Sequence, residues 1–313
     1  MIRYIIRRCL ATIPVVLIVA IFIFSLLYIA PGDPALIIAG DQATPEVVER
    51  IRSQLGLNQP IHVRFGEWVL NIVRGDFGTS VLSGRPVSTL IMQRMEPTLS
   101  LMLLTLIISV GIAVPLGVLA TWKRRTFTDR SVMMLCVVGF SLPVFVTGYL
   151  LAYIFGLKLG WFPVQGYQRL ENGIWPWLRS LVLPATALSM VYIALITRIT
   201  RATMLETLSR DYIRTAHAKG LAVLPILFVH ALKNAAVPIV TVVGTGVALL
   251  ISGSVVAESV FAIPGLGRLT IDAILSRDYP VIQAVVLVFS LGYVLVNLIV
   301  DILYTLFDPR IRL

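Results

Sequence analysis

The sequence predicts an all-α, polytopic membrane protein with six transmembrane helices, and three observations carry that prediction. Of its 313 residues 58% are hydrophobic and only 13% charged, with a mean hydropathy of +0.90, whereas roughly 25% of a soluble domain is charged. Six charge-free windows, residues 9–32, 97–122, 131–157, 180–197, 234–257 and 279–300, are long enough for a bilayer crossing of about 20 residues. None of them alternates as a barrel strand would, and backbone groups in lipid must be bonded within their own segment, so each is expected as a helix.

The first window follows Arg3, Arg7 and Arg8, as a secretory signal would. It is too long for a signal core, lacks a small-x-small exit and runs into Ala30-Pro31-Gly32-Asp33-Pro34, a helix stop. It therefore reads as a retained span behind a short N-terminal tail, residues 1–8. Residues 33–96 follow as an ordered helical segment. Pro45, Pro60 and Pro86 each suit a first helical turn, Gly56 and Gly75 suit stops, and Val48, Ile51, Leu55 and then Ile61, Phe65, Trp68, Ile72 recur at helical spacing.

The later spans carry packing and bending signals. Pro115, Pro143 and Pro184 fall within the second, third and fourth windows, where each permits a kink. Gly244, Ala248 and Ser252 repeat every four residues in the fifth, a smooth strip suited to close helix packing within the chain or between subunits. Asn297, Gln283 and Tyr293 are polar candidates in the last. Residues 97–313 form the core with the second to sixth spans.

Orientation follows from Lys and Arg in the short connections. The N-terminus carries three, residues 123–130 four and residues 198–233 six, against three in 158–179 and two in 258–278. Both termini are expected in the cytoplasm, which makes 33–96 an outer segment. The formal charge of +10 is strewn between apolar runs, unlike the clustered footprint of a nucleic-acid reader.

Chemistry is conspicuous by its lack. His62, His217 and His230 lie in connections, and Glu258 and Asp301 fall at span edges. For these two acids, solvation among headgroups is weighed first and a polar contact with a neighbouring helix second. Cys9 and Cys136 lie in apolar runs, so they build neither a disulfide framework nor a metal site. No Gly-Lys dipeptide exists, which removes the phosphate-cradling loop, and neither H-E-x-x-H nor G-x-S-x-G occurs. No catalytic, cofactor-binding or metal-ligating residue is expected, and energy for transport would enter through a partner.

The connection 198–233 is the most basic and the longest on the inner side. Ser209 or Asp211 can cap a short helix that ends at Lys219 before Gly220, which offers a left-handed stop. Tyr212, Ala216 and Lys219 share one face; Arg210, Arg214 and His217 share another. Such a helix suits a partner's groove, or a bed of anionic headgroups.

Asp211-Tyr212-Ile213-Arg214-Thr215-Ala216-x-Ala218-Lys219-Gly220-Leu221, followed by His230-Ala231-Leu232-Lys233-Asn234-Ala235-x-x-Pro238, resembles the cytoplasmic signature loop of ABC-transporter permeases for dipeptides, oligopeptides and nickel. Relative to the generic E-A-A-x-x-x-G pattern, Arg214-Thr215-Ala216 stands in place of Glu-Ala-Ala, and Pro238 departs from the usual spacing. Ile2-Arg3-Tyr4-Ile5-Ile6-Arg7-Arg8, Pro31-Gly32-Asp33-Pro34, Gly75-Asp76-Phe77-Gly78, Phe261-x-x-Pro264-Gly265-Leu266-Gly267-Arg268-Leu269, Arg277-Asp278-Tyr279-Pro280-Val281-Ile282-Gln283 and Asp308-Pro309-Arg310-Ile311-Arg312 are similar to that family's landmarks in the same order. The long outer segment resembles the first of its two paired permeases.

The resemblance implies a type I ABC importer permease (MetI-like) fold in a bacterial inner membrane. It also implies a second permease, two ATPase subunits that hold the ATP and Mg, and an extracytoplasmic binding protein. The helix Asp211 to Gly220 would seat on an ATPase, with Tyr212 and Ala216 filling its groove. Pro264, Gly265, Leu266 and Gly267 would form a tight feature near the pathway mouth, for docking or only for folding. Peptides lead as substrate, with glutathione, nickel chelates and sugars behind. An ion-coupled secondary transporter and a non-transporting scaffold are the rival classes.

Overall fold

The computed structural model describes residues 2–29, 35–36, 43–54 and 56–307. The expected stop at Ala30 to Pro34, Leu55 and the landmark Asp308 to Arg312 lie outside them. The described chain is helical: α1 (Ile2–Ile29), α2 (Pro45–Gln54), α3 (Ile61–Val73), α4 (Val87–Trp122), α5 (Phe127–Ser141), α6 (Val144–Leu151), α7 (Ile174–Leu208), α8 (Asp211–Ala218), α9 (Leu232–Val260), α10 (Leu266–Leu275) and α11 (Tyr279–Phe307). A π-helical turn, Ala152–Lys158, extends α6, and another, Ile226–Ala231, leads into α9.

By length and composition α4, α7, the 38-residue run Val223–Val260 and α11 can each cross a membrane. The third window is not one rod. Leu142 is extended and Pro143 starts a new helix, so α5 and α6 with its π turn meet at 102°. Proline contributes no N–H and pushes its predecessor out of the helical region, which is why the break falls there. Pro115 and Pro184 sit within unbroken helices. Counting the bent pair as one span and the apolar stretch Leu10–Ser25 of α1 as another, the described residues are compatible with six crossings. α4 begins ten residues before its apolar window, and α7 continues eleven residues past its own, into the basic connection.

α7 is the central post. Its apolar window is 67% buried, against 33% for α4 and for Val223–Val260 and 11% for α11. Its neighbours approach it through glycine. A Cβ on Gly117 of α4 would stand 2.6 Å from Thr200 Cβ, one on Gly139 of α5 3.3 Å from Met190 O, and ones on Gly246 and Gly253 of α9 3.0 Å from Tyr192 and 2.9 Å from Leu188. Contacts this close need small residues, because lipid supplies no hydrophobic force to press helices together. Two hydroxyls lock the post: Tyr192 donates to Gly246 O at 2.6 Å and Thr197 to Ala113 O at 3.2 Å.

The segment between α1 and α4 folds against α1. Pro45 opens α2, Pro60 and Pro86 precede α3 and α4, and Gly56 and Gly75 take φ of +64° and +83°. Phe65 and Trp68 of α3 pack on Phe24 at ring distances of 5.3 and 5.6 Å.

Gly117→Val should destabilise the protein by about 1–3 kcal/mol through overpacking against Thr200. Gly111→Ala, whose Cβ meets nothing within 4 Å, should be neutral or slightly stabilising. Thermal unfolding of the detergent-solubilised chain compares the two.

Candidate functional site

At the C-terminal end of α7 the chain turns through Ser209 and Arg210 into α8. Neither Ser209 nor Asp211 caps it: Arg210 occupies the N-cap without a side-chain bond, and the Ser209 hydroxyl donates back to Glu206 O at 2.7 Å. Gly220 takes φ of +74°, and its N–H reaches His217 O at 2.9 Å while Leu221 N–H reaches Ala216 O at 3.2 Å. These bonds satisfy the last carbonyls of the helix and end it as expected.

Ile213, 2% exposed, and Ala216, 7% exposed, pack with Ile226 and Leu208. This cluster seats α8 between the end of α7 and the π turn before α9. The reading that put Ala216 on the groove-filling face with Tyr212 is thereby corrected, since Ala216 faces this chain's own Ile226. The helix presents Asp211, Tyr212, Arg214, Thr215, His217, Ala218 and Lys219 outward. Partial burial pushes the Tyr212 phenol above its ordinary value, opposed by Arg210, so it stays neutral and able to donate a hydrogen bond.

An ion pair missed in the sequence braces the same end. Arg201 of α7 meets Asp129 of α5 through Nε at 2.6 Å and a second guanidinium nitrogen at 2.8 Å. Arg125 N–H, presented from φ of +63°, donates to the same carboxylate at 3.0 Å. Both residues looked like ordinary connection charges in the sequence; the only hint was an acid in the first turn of a helix.

The opposite end is tied by three carboxylates. Glu258 is fully buried: it accepts from Thr98 Oγ1 at 2.6 Å and from Arg268 N–H at 2.9 Å, and Leu266 N–H donates to Thr98 Oγ1 at 2.8 Å. Its carboxyl group therefore sits at the start of α10, where backbone N–H groups point at an acceptor. Gly265 and Gly267 leave room for it, since a Cβ on Gly265 would collide with the carboxylate and one on Gly267 would stand 2.6 Å from Val255 Cα. Asp278, also buried, accepts from Ser80 Oγ at 2.5 Å and Val81 N–H at 3.3 Å. Glu96 accepts from Tyr167 Oη at 3.0 Å and Leu170 N–H at 3.1 Å. Burial and Glu96 hold the Tyr167 phenol above its ordinary value. Headgroup solvation is thus corrected for Glu258, whose partner is a neighbouring helix; Asp301 likewise pairs with Arg8 of α1. Pro264 to Gly267 are the turn that wraps Glu258.

The polar candidates of the last helix are dispersed. Gln283 is buried and donates to Ile23 O at 3.3 Å, while Tyr293 and Asn297 line a cleft of about 580 Å³ between α1, α9 and α11. The richer polar surface is on α9, where Asn234, Thr245, Ser252 and Ser259 lie exposed along one stripe. The outward stripe of α4 is instead Leu99, Leu103 and Ile107. The small strip divides: Gly244 is buried tightly on Val300, and Ser252 faces outward.

Among the described residues no group of three metal-ligating side chains occurs. The bundle thus carries a short helix packed on its own chain at one end and a carboxylate-tied turn at the other. The chain belongs to the family of binding-protein-dependent transport system inner membrane components, whose models match residues 113–313 and, for the N-terminal part, 1–102. A probable peptide ABC transporter permease of Sinorhizobium fredii is 53% identical over 309 residues, 99% of each chain. A glutathione transport system permease of Salmonella typhi is 43% identical over 312 residues, 100% of this chain and 99% of that one. The MetNI methionine ABC transporter in its inward-facing conformation shares the fold, with a TM-score of 0.59 and 17% identity over 70% of this chain and 96% of its own. The protein is accordingly a permease subunit of an ABC importer.

Glu258→Ala should cost about 1–3 kcal/mol by leaving Thr98 and the start of α10 without their acceptor. Ser259→Ala, exposed on the next residue, should stay within about 0.5 kcal/mol. Thermal unfolding distinguishes them.

Proposed function

We propose that this permease imports di- or oligopeptides, pairs with a second permease to enclose the pathway, and is driven by two ATPase subunits through α8. An extracytoplasmic binding protein delivers the substrate, both termini lie in the cytoplasm, and ATP and Mg are held by the ATPases. The sequence holds no phosphate-cradling loop, so ATP hydrolysis is assigned to those partners.

The observation that carries the reading is the seating of α8. A coupling element must transmit displacement and not absorb it. α8 is pinned by Ile213 and Ala216 against Leu208 of α7 and Ile226 of the π turn that leads into α9, so a push on its outer face is passed to both helices. Tyr212 supplies a half-exposed aromatic for an ATPase groove, with Asp211, Arg214, Thr215, Ala218 and Lys219 around it. The hydroxylated stripe of α9 suits the pathway wall, because hydroxyls bonded to their own helix, as Thr245 is to Thr241 O at 3.0 Å, tolerate varied peptide side chains without holding any one firmly.

Gly220→Pro replaces a φ of +74° by one near −65°. It should lower peptide uptake by at least about tenfold, the effect of losing ~1.4 kcal/mol of coupling, with normal amounts of protein in the membrane. Tyr212→Ala should weaken ATPase attachment, and Ser252→Trp should block uptake while leaving that attachment intact. Uptake and ATP hydrolysis in vesicles reconstituted with all subunits test these expectations, and unchanged transport by both the Gly220 and Tyr212 variants counts against the coupling role. The relative named for glutathione favours a second reading, a modified tripeptide as cargo, which competition between glutathione and alanyl peptides in the same vesicles resolves.

A further inference from the structure

The 102° break at Pro143 leaves a slot of about 400 Å³ where α5, α6 and α7 diverge. Leu116, Cys136, Gly139, Leu142, Leu150 and Ala194 contribute to its walls. The lone hydroxyl in the lining, Thr147, donates to Pro143 O at 2.9 Å. Leu135 and Val138, at its rim, are 68% and 50% exposed. Apart from that hydroxyl the lining is apolar, so the slot favours an apolar occupant.

Its charge is at one end. Arg198 lies one helical turn beyond Ala194 on α7, and helical side chains lean toward the N-terminus of their helix, here toward the slot. Its guanidinium lies over the Phe140 ring at 5.7 Å. The residue is exposed and makes no ion pair among the described residues. Arg201, three residues on, has Asp129; Arg198 has no such acid. A cation at the edge of an apolar window is costly unless an anion or the headgroup region reaches it. Trp122 and Lys123, stacked at 4.6 Å and followed by Arg124 and Arg125, mark the same end as membrane-interfacial and basic.

We propose that the slot binds one acyl chain of an inner-leaflet phospholipid whose anionic headgroup is held by Arg198. The proposal rests on the orientation given above, under which this end of α7 is cytoplasmic. Charge complementarity selects an anionic lipid, and the narrow apolar slot selects a chain. The lipid would fill the gap left by the broken span and hold α5 and α6 against α7 at the hinge between them.

The full chain, equilibrated with an equal mixture of phosphatidylglycerol and phosphatidylethanolamine in detergent, is examined by native mass spectrometry. The wild type should retain phosphatidylglycerol in preference. Arg198→Gln should lower that preference about fivefold, Arg198→Lys should keep most of it, and Val138→Trp, which fills the rim, should release both lipids. A photoreactive residue in place of Leu135 should label lipid in intact membranes. A wild type that retains no lipid, an unaltered headgroup preference in Arg198→Gln, or capture of a second permease at position 135 would overturn the proposal. Labelling of Thr126→Cys from the cytoplasmic side tests the orientation separately.

Discussion

Close approach to α7 is the constraint on which this structure depends. In lipid no hydrophobic force pulls one helix onto another, so association rests on van der Waals contact over long smooth surfaces. Gly117, Gly139, Gly246 and Gly253 provide those surfaces from three helices, and α7 answers with Leu188, Met190, Tyr192 and Thr200. Each glycine forgoes helix propensity of about 1 kcal/mol relative to alanine, and recovers it in contacts that no larger residue could make. The post then extends eleven residues past its apolar window, where Leu208 packs against α8.

Charge is confined to the two ends and used there as fastening. Asp129 with Arg201 closes one end; Glu258, Asp278 and Glu96 close the other, bonding backbone N–H groups and hydroxyls more than cations. Buried carboxylates that accept from helix starts and turns are satisfied without a counter-ion. The apolar windows between them hold no Asp, Glu, His, Lys or Arg.

Much of the architecture was legible in the sequence. Apolar windows located the long helices, proline and glycine punctuated the outer segment, and Gly220 ended α8 where a left-handed residue was required. Legibility failed where long-range geometry decides. Glu258 at a span edge looks the same whether it faces headgroups or Thr98, 160 residues away in sequence. Pro115, Pro143 and Pro184 carry equal signals, yet only Pro143 breaks its helix. Ala216 shares a helical face with Tyr212, but which face turns inward is set by Ile226, beyond the reach of periodicity. The exposed stripe of α9 was illegible because hydroxyls that back-bond to their own helix look alike on buried and exposed sides.

The Glu258 clasp also bears on the chronology of biogenesis. The ribosome finishes Thr98 long before it reaches residue 258, and at about 5–20 residues per second the wait is roughly 8–30 s. Throughout that interval the far end of α4 has no lock, and the carboxylate that will supply it has yet to be made. The clasp closes only once Leu266 and Arg268, whose N–H groups complete it, have followed.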